Sequence, residues 1–270
     1  MIFWNMLLFL ATANAISPDV DKQRELVWAE EFDYEGLPSD EHWVYDEGNG
    51  CPNLCGWGNR ELQHYTVKNP DNARVADGKL IIEAHKHEDG RWTSARLKTQ
   101  GKQHFTYGTI QFRAKLPIGS GTWPALWLLG ANVSEMGWPA CGEIDVLEHA
   151  GRSPGVVQSA IHTPSSHADT KNKGATVATN FDDEWHIYEL RWTKKKLAFY
   201  LDGKKYYTYK PKERNAETWP FDDEFFIIMN IAIGGSLGSD PQYETDGLKN
   251  GVDPELTSAR MEVDYVRVYR

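Results

Sequence analysis

Residues 196–201 and 204–209 are two alternating runs, and the dipeptide between them is Asp202-Gly203. Asp-Gly between alternating runs turns the chain back as a two-residue hairpin, because the favoured turn needs φ above zero at both positions. The same kind of short segment recurs along the chain. Residues 26–32, 79–84 (just after Asp77-Gly78), 107–115, 125–129, 157–162, 186–192, 225–231 and 261–269 are rich in β-branched and aromatic residues and bounded by turn formers. No stretch keeps a long 3.6-residue period, although the residues near Pro220 leave room for a short helix. Many short strands without helical crossovers predict an all-β chain, a sandwich of two antiparallel sheets. No linker, repeat or low-complexity segment divides it, so residues 16–270 read as a single domain.

One of the expected strands carries an unusual load. Gly142-Glu143-Ile144-Asp145-Val146-Leu147-Glu148 packs three carboxylates into six residues, interleaved with aliphatic side chains. On a regular strand Glu143, Asp145 and Leu147 share one face and Glu148 points the other way. One extra residue near Val146-Leu147, a β-bulge, would return Glu148 to the face of the other two acids, and bulges often re-aim side chains beside active sites. Like charges sharing a site raise at least one pKa. A glycosidase uses such a set, with one ionised carboxylate as nucleophile and one protonated carboxyl as acid. The competing reading is an exposed acidic strand at a sheet edge. Trp138, Pro139 and the apolar run 125–129, read here as buried, argue against it.

Aromatic residues make up 12% of the chain, with 11 Trp and 12 Tyr. That excess suits a sugar-binding surface and equally a large aromatic core. A formal net charge of −10 argues against nucleic acid and anionic membrane surfaces as partners, and disfavours a polyanionic substrate. Met6-Leu7-Leu8-Phe9-Leu10 followed by Ala13-Asn14-Ala15 reads as a signal peptide over residues 1–15, although a positively charged start is missing. The apolar run is far short of the ~20 residues a membrane span needs. The expected mature chain starts near Ile16 and is secreted, extracellular and monomeric.

Three cysteines in a secreted chain invite pairing. Cys51 and Cys55 flank Pro52-Asn53-Leu54, and a disulfide there would shape the loop more than stabilise the fold, because the loop it closes is short. A two-cysteine metal site is the alternative, but no second Cys or His pair at zinc spacing completes it. Cys141 is left over, either as a buried thiol or as the nucleophile of a Cys/His enzyme, a role the neighbouring carboxylates would blunt. Asn132-Val133-Ser134 is a possible glycan acceptor.

The carboxylate strand, taken with Gly121-Thr122-Trp123-Pro124-Ala125-Leu126-Trp127-Leu128-Leu129-Gly130 and Met136-Gly137-Trp138-Pro139, resembles glycoside hydrolase family sixteen, and within it the laminarinase (endo-1,3-β-glucanase) group. The resemblance runs from Leu26 to Arg270. It includes Gly56-Trp57-Gly58-Asn59-Arg60-Glu61-Leu62-Gln63, Ser94-Ala95-Arg96-Leu97, His162-Thr163-Pro164-Ser165-Ser166 and the closing residues 261–270. It implies a β-jelly-roll sandwich with a concave substrate groove. It further implies Glu143 as nucleophile, Glu148 as general acid/base and Asp145 between them.

Matching positions imply Trp123 and Trp138 as sugar platforms, Asn59 and Arg96 as donors to sugar hydroxyls, His162 as an imidazole near the acid/base and Asn230 as a polar group lining the groove. Each has a plainer reading. Eleven Trp cannot all line a groove, so core packing competes for Trp123 and Trp138. His162 could act only through its neighbours, and Arg96 could be a surface ion pair. No cofactor is implied for catalysis. A structural Ca2+ on the convex side is implied, with Glu31, the Gly78 carbonyl and Asp264 as ligands, against a metal-free carboxylate pair. Arg60 and His64 depart from the residues common in relatives and bear on sugar preference at one end of the groove. The expected function is a secreted, endo-acting, retaining hydrolase of 1,3-β-glucan such as laminarin. The alternatives are a non-catalytic β-glucan recognition protein on the same fold, and a hydrolase of mixed-linkage 1,3-1,4-β-glucan or of a galactan.

Overall fold

The computed structural model describes residues 24–168, 173–178, 184–245 and 250–270; the expected signal peptide and the expected mature start lie outside these. The described residues form seventeen strands. They are β1 (Leu26–Glu30), β2 (Val44–Tyr45), β3 (Gln63–Tyr65), β4 (Ala73–Ala76), β5 (Lys79–Lys86), β6 (Trp92–Ser94), β7 (Arg96–Lys98), β8 (Gly108–Lys115) and β9 (Thr122–Gly130), then β10 (Glu143–Glu148), β11 (Val156–His162), β12 (Lys173–Ala178), β13 (His186–Thr193), β14 (Lys196–Leu201), β15 (Lys204–Tyr209), β16 (Phe225–Ile233) and β17 (Ser258–Tyr269). Ten of them make one sheet, whose main path runs β15-β14-β13-β8-β17-β5-β6-β3, with β1 on β17 and β4 on β5. The other seven run β12-β11-β10-β9-β16-β7-β2. Pairing is antiparallel throughout except between β3 and β6. The all-β jelly-roll sandwich expected from the pattern is what forms.

The hairpin at Asp202-Gly203 turns with both residues at positive φ, as its sequence requires. Residues around Pro220 form turns, not the short helix that their composition allowed. Among the described residues helical structure is limited to single turns, such as Val133–Met136 and Gly235–Gly238. Among the described residues no helix is long and apolar enough to cross a membrane. Cys51 and Cys55 are joined by a disulfide, and Cys141 is a buried free thiol whose pKa is pushed up to about 11 by burial and by Glu143.

The seven-stranded sheet positions everything that follows. One face closes the core with Leu126, Leu128, Ile144, Val157, Ile161, Ile227 and Met229. Burying an aliphatic side chain of this size stabilises by about 1.5–3 kcal/mol. The opposite face is the groove. β10 lies in the middle of this sheet, flanked by β9 and β11, so the reading of an acidic edge strand is wrong.

Gly142 feeds the chain into β10 with φ +79°, a left-handed conformation that suits glycine. A Cβ there would lie 2.9 Å from Pro220 Cγ and 3.0 Å from Phe225 Cζ. Gly142→Ala is therefore expected to cost at least the ~1–2 kcal/mol of a left-handed L-residue. Calorimetry should then show a melting temperature lower by roughly 2–4 °C per kcal/mol. An unchanged melting curve would remove this glycine from the account of how β10 is held.

Candidate active site

β10 contains the extra residue that its sequence called for. Between Asp145 and Glu148 it advances three residues while β9 advances two, from Trp127 to Ala125, and β11 advances two, from Ala160 to Gln158. Val146 and Leu147 consequently both turn into the core, each 1% exposed or less. Leu147 does not share the face of Glu143 as a regular strand would have it, and Glu148 takes that place.

The register then lines up three rows across the groove. Arg96, Asn230, Ala125, Glu148, Gln158 and Thr176 are successive neighbours on β7, β16, β9, β10, β11 and β12. The next row holds Lys98, Ile228, Trp127, Asp145, Ala160 and Gly174. The third runs through Phe226, Leu129, Glu143 and His162. All three acids thus stand on the groove face, with small alanines beside Glu148 and Asp145 leaving room above them.

Each acid has its own set of donors. Trp138 Nε1 donates to Glu143 Oε2 at 3.0 Å. Trp123 Nε1 donates to Glu148 Oε1 at 3.1 Å and Gln158 Nε2 to Glu148 Oε2 at 3.0 Å. His162 Nε2 lies 3.4 Å from Glu143 Oε1 and 3.2 Å from Asp145 Oδ2. Ala168 donates its backbone N–H to His162 Nδ1, so a neutral ring carries its proton on Nε2, facing the carboxylates. Asp145, 3% exposed, is the deepest of the three acids, and its Oδ2 accepts no hydrogen bond.

Burial pushes all three carboxyls up. Glu143 reaches about 8, chiefly through burial and then through the neighbouring charge of Asp145. Asp145 is raised well above its usual range by burial and by Glu148. Burial also raises Glu148, against the pull of Gln158, His162 and Trp123. At neutral pH the cluster therefore holds protons rather than three negative charges. A carboxylate oxygen each of Glu143 and Asp145 and a ring nitrogen of His162 lie within 4.8 Å of one another.

The residues expected to bind sugar surround this centre. Trp123 and Trp138 both point their ring nitrogens at an acid, and neither is in the core. Trp138 is 44% exposed at the rim, so reading it as buried was wrong. Arg96 is no surface ion pair. It is buried with its guanidinium 4.3 Å from the Trp57 ring centroid and 4.7 Å from that of Tyr65, with Asp46 at 3.6 Å and Glu61 at 3.8 Å. Asn59 Nδ2 donates to Glu61 at 3.0 Å, which ties it to the same network. Asn230 accepts from Trp127 Nε1 at 2.8 Å and donates to the Tyr65 hydroxyl at 3.1 Å.

Gln158, Glu61, Tyr65 and Trp127 were not singled out from the sequence as site residues. Glu61 sits inside a motif that was, and its neighbours Asn59 and Gln63 both donate to it.

The set expected to hold calcium is engaged otherwise. Both oxygens of Glu31 accept from Arg267, at 2.7 and 2.8 Å, and Asp264 Oδ2 accepts from Arg113 at 2.7 Å. Two guanidinium groups already neutralise those carboxylates, so the side chains as placed do not fit a divalent cation. The sequon asparagine, Asn132, donates its side-chain amide to Asp223 at 3.1 Å.

Residues 61–267 match the family model for glycosyl hydrolases family 16. The chain is 44% identical over 258 residues to a beta-glucanase of Rhodothermus marinus, covering 91% of this chain and 85% of that protein. Its fold superposes on the crystal structure of a laminarinase from Flavobacterium sp. UMI-01 with a TM-score of 0.82 at 41% identity, covering 91% of this chain and all of that one. A non-specific endo-β-1,3(4)-glucanase gives a TM-score of 0.81 at 37% identity, covering 92% of each chain. The chain belongs to glycosyl hydrolases family 16 and is an enzyme that hydrolyses glycosidic bonds.

Proposed function

We propose that this enzyme is a secreted, endo-acting 1,3-β-glucanase that cleaves laminarin-type glucan with retention of configuration. The observation that carries the chemistry is the bulge that sets Glu143, Asp145 and Glu148 together on the groove face of β10. The substrate class is supported by the relatives, which are a beta-glucanase, a laminarinase and an endo-β-1,3(4)-glucanase.

Retention needs two carboxyls roughly 5–5.5 Å apart, one to form a glycosyl ester and one to protonate the leaving oxygen. Glu143 attacks the anomeric carbon while Glu148 gives its proton to the glycosidic oxygen. Water then enters, Glu148 takes a proton from it, and the ester breaks. The nucleophile must be ionised, and the Trp138 N–H bond and the nearby His162 ring favour that form against the burial that raises Glu143 to about 8. Asp145 is the deepest of the three acids, and burial together with Glu148 raises it well above its usual range, so it keeps a proton beside the nucleophile. Trp123 and Trp138 at the acids, with Asn59, Arg96 and Asn230 along the groove, present donors and aromatic faces to sugar rings.

Early products from laminarin should carry the β-configuration by NMR, and Glu143→Gln should abolish release of reducing ends while retention on a laminarin affinity gel persists. Wild-type turnover in that variant would reject the nucleophile, whereas binding without turnover in the wild type would mark a recognition protein. Glu148→Gln should lose about 10²–10⁴-fold on laminarin. Added azide should restore part of that rate as a glycosyl azide; failure of rescue would count against the acid/base role. Comparing kcat/KM on laminarin with that on mixed-linkage glucan separates the two substrate classes.

The proton count also bears on stability. The folded pKa of Glu143 is raised from 4.5 to about 8. Below the lower value both folded and unfolded chains hold the proton, and nothing is lost. As pH rises towards the upper value the unfolded chain ionises first, so the burial of Glu143 costs stability that grows with pH. Glu143→Gln should therefore melt higher than the wild type by a margin that widens between about pH 5 and pH 8. A constant margin would remove the raised pKa.

A further inference from the structure

We propose that Gln158 is a positioning residue that holds Glu148 and sets how readily it gives up and regains its proton. This rests on the reading of Glu148 as the acid/base. The bulge creates the contact: β11 advances two residues where β10 advances three, so Glu148 and not Leu147 stands opposite Gln158. The side-chain amide then donates to Glu148 Oε2 at 3.0 Å, while Trp123 on the other flanking strand donates to Oε1 at 3.1 Å. A carboxyl 8% exposed with an N–H on each oxygen, from opposite sides, has its rotation fixed.

The acid/base has two opposed tasks. It must hold a proton until the glycosidic oxygen arrives, and it must be ionised when water attacks the ester. Burial alone favours the first task and would leave a poor base. The charged and titratable groups facing Glu148 are Glu143 and Asp145 on its own strand, His162 on β11 and Arg152 in the loop before β11. Burial pushes its proton affinity up, and Gln158, His162 and Trp123 pull it down. Arg152 spends its guanidinium on the carbonyls of Leu237 and Ser239. From β9, β16 and β12 come Ala125, Trp123, Asn230 and Thr176, none of them charged. Gln158 thus stabilises the carboxylate without titrating, so its pull is constant across the working pH range.

Gln158 and Glu148 also line one recess of about 140 Å³, together with Arg152, Ser153, Thr176 and Leu237. Glu143 does not line it. The recess therefore lies on the Glu148 side of the carboxylate cluster, and the Gln158 amide borders it.

The test is the pH profile of kcat/KM on laminarin for Gln158→Met, which keeps length and loses the donor, and for Gln158→Glu, which keeps shape and reverses the polarity. Melting curves check that each variant is folded. Losing a hydrogen bond to a charged group should move the alkaline limb up by about one pH unit in Gln158→Met. Gln158→Glu should move it further. In Gln158→Met, kcat at the acid end should fall more than kcat/KM, because the ester then waits for a base. An unmoved limb in whichever variant folds, or an equal loss at every pH, would overturn the proposal. Azide rescue of Glu148→Gln is measured in parallel. Rescue with an unmoved limb rejects Gln158 alone, whereas absent rescue rejects the acid/base itself.

Discussion

Three carboxylates can be buried on one strand only if the reverse side of that strand is held down more strongly than the acids repel. β10 meets this condition by giving its other side chains, Ile144, Val146 and Leu147, wholly to the core. A regular alternation would offer the core only Ile144, Val146 and Glu148, and would leave Leu147 in the groove. The extra residue solves both problems at once. It removes a charge from the interior and adds an aliphatic side chain to it. The clustering of the three acids and the burial of β10 are therefore one feature, and neither can be altered alone.

The same bulge fixes which neighbours each acid meets. Because β10 slips by one residue against both flanking strands, Glu148 is brought level with Ala125, Gln158 and, further across, Asn230 and Arg96. One row of side chains then spans the sheet from an aromatic-lined arginine to Glu148. Arg96 is kept rigid by stacking on Trp57 and Tyr65, and Asn230 links Trp127 to the Tyr65 hydroxyl. Pre-organised donors cost little ordering entropy when a ligand binds, which favours groove residues held by their neighbours over free surface chains.

Much of this was legible in the chain. The Asp202-Gly203 hairpin and the bulge near Val146-Leu147 follow from local rules, one from turn chemistry and one from the clash between period two and the positions of three acids. Other features were not legible, for identifiable reasons. β2, β3, β6 and β7 have two or three residues each, too few to show a period. Trp138 reads as buried because tryptophan is usually inside, yet its placement over Glu143 at the rim leaves it half exposed. The partnership of Gln158 with Glu148 depends on a register shift, and that of Asn230 with Tyr65 on strand order across 165 residues. The Glu31 and Asp264 carboxylates carry no mark in the sequence to say that Arg267 and Arg113 would claim them.

A net charge of −10 would suggest a repulsive field over the groove, but the local arrangement largely cancels it. At the centre, burial keeps protons on the acids. At the end held by Arg96, the guanidinium is matched by Asp46 and Glu61, and Asp46 also takes the Lys98 ammonium at 2.5 Å. What remains for a ligand to meet is N–H groups, hydroxyls and aromatic faces. Such a surface suits an uncharged polysaccharide, whose hydroxyls need partners and whose ring faces are apolar. A sulfated chain would bring charge that no free cation in this row answers, since the row's one cation, Arg96, is already paired. The chain's net negative charge would add long-range repulsion, screened only beyond about 8–10 Å at physiological salt. The groove's fitness for a neutral chain over a charged one thus follows from how completely its own charges satisfy one another.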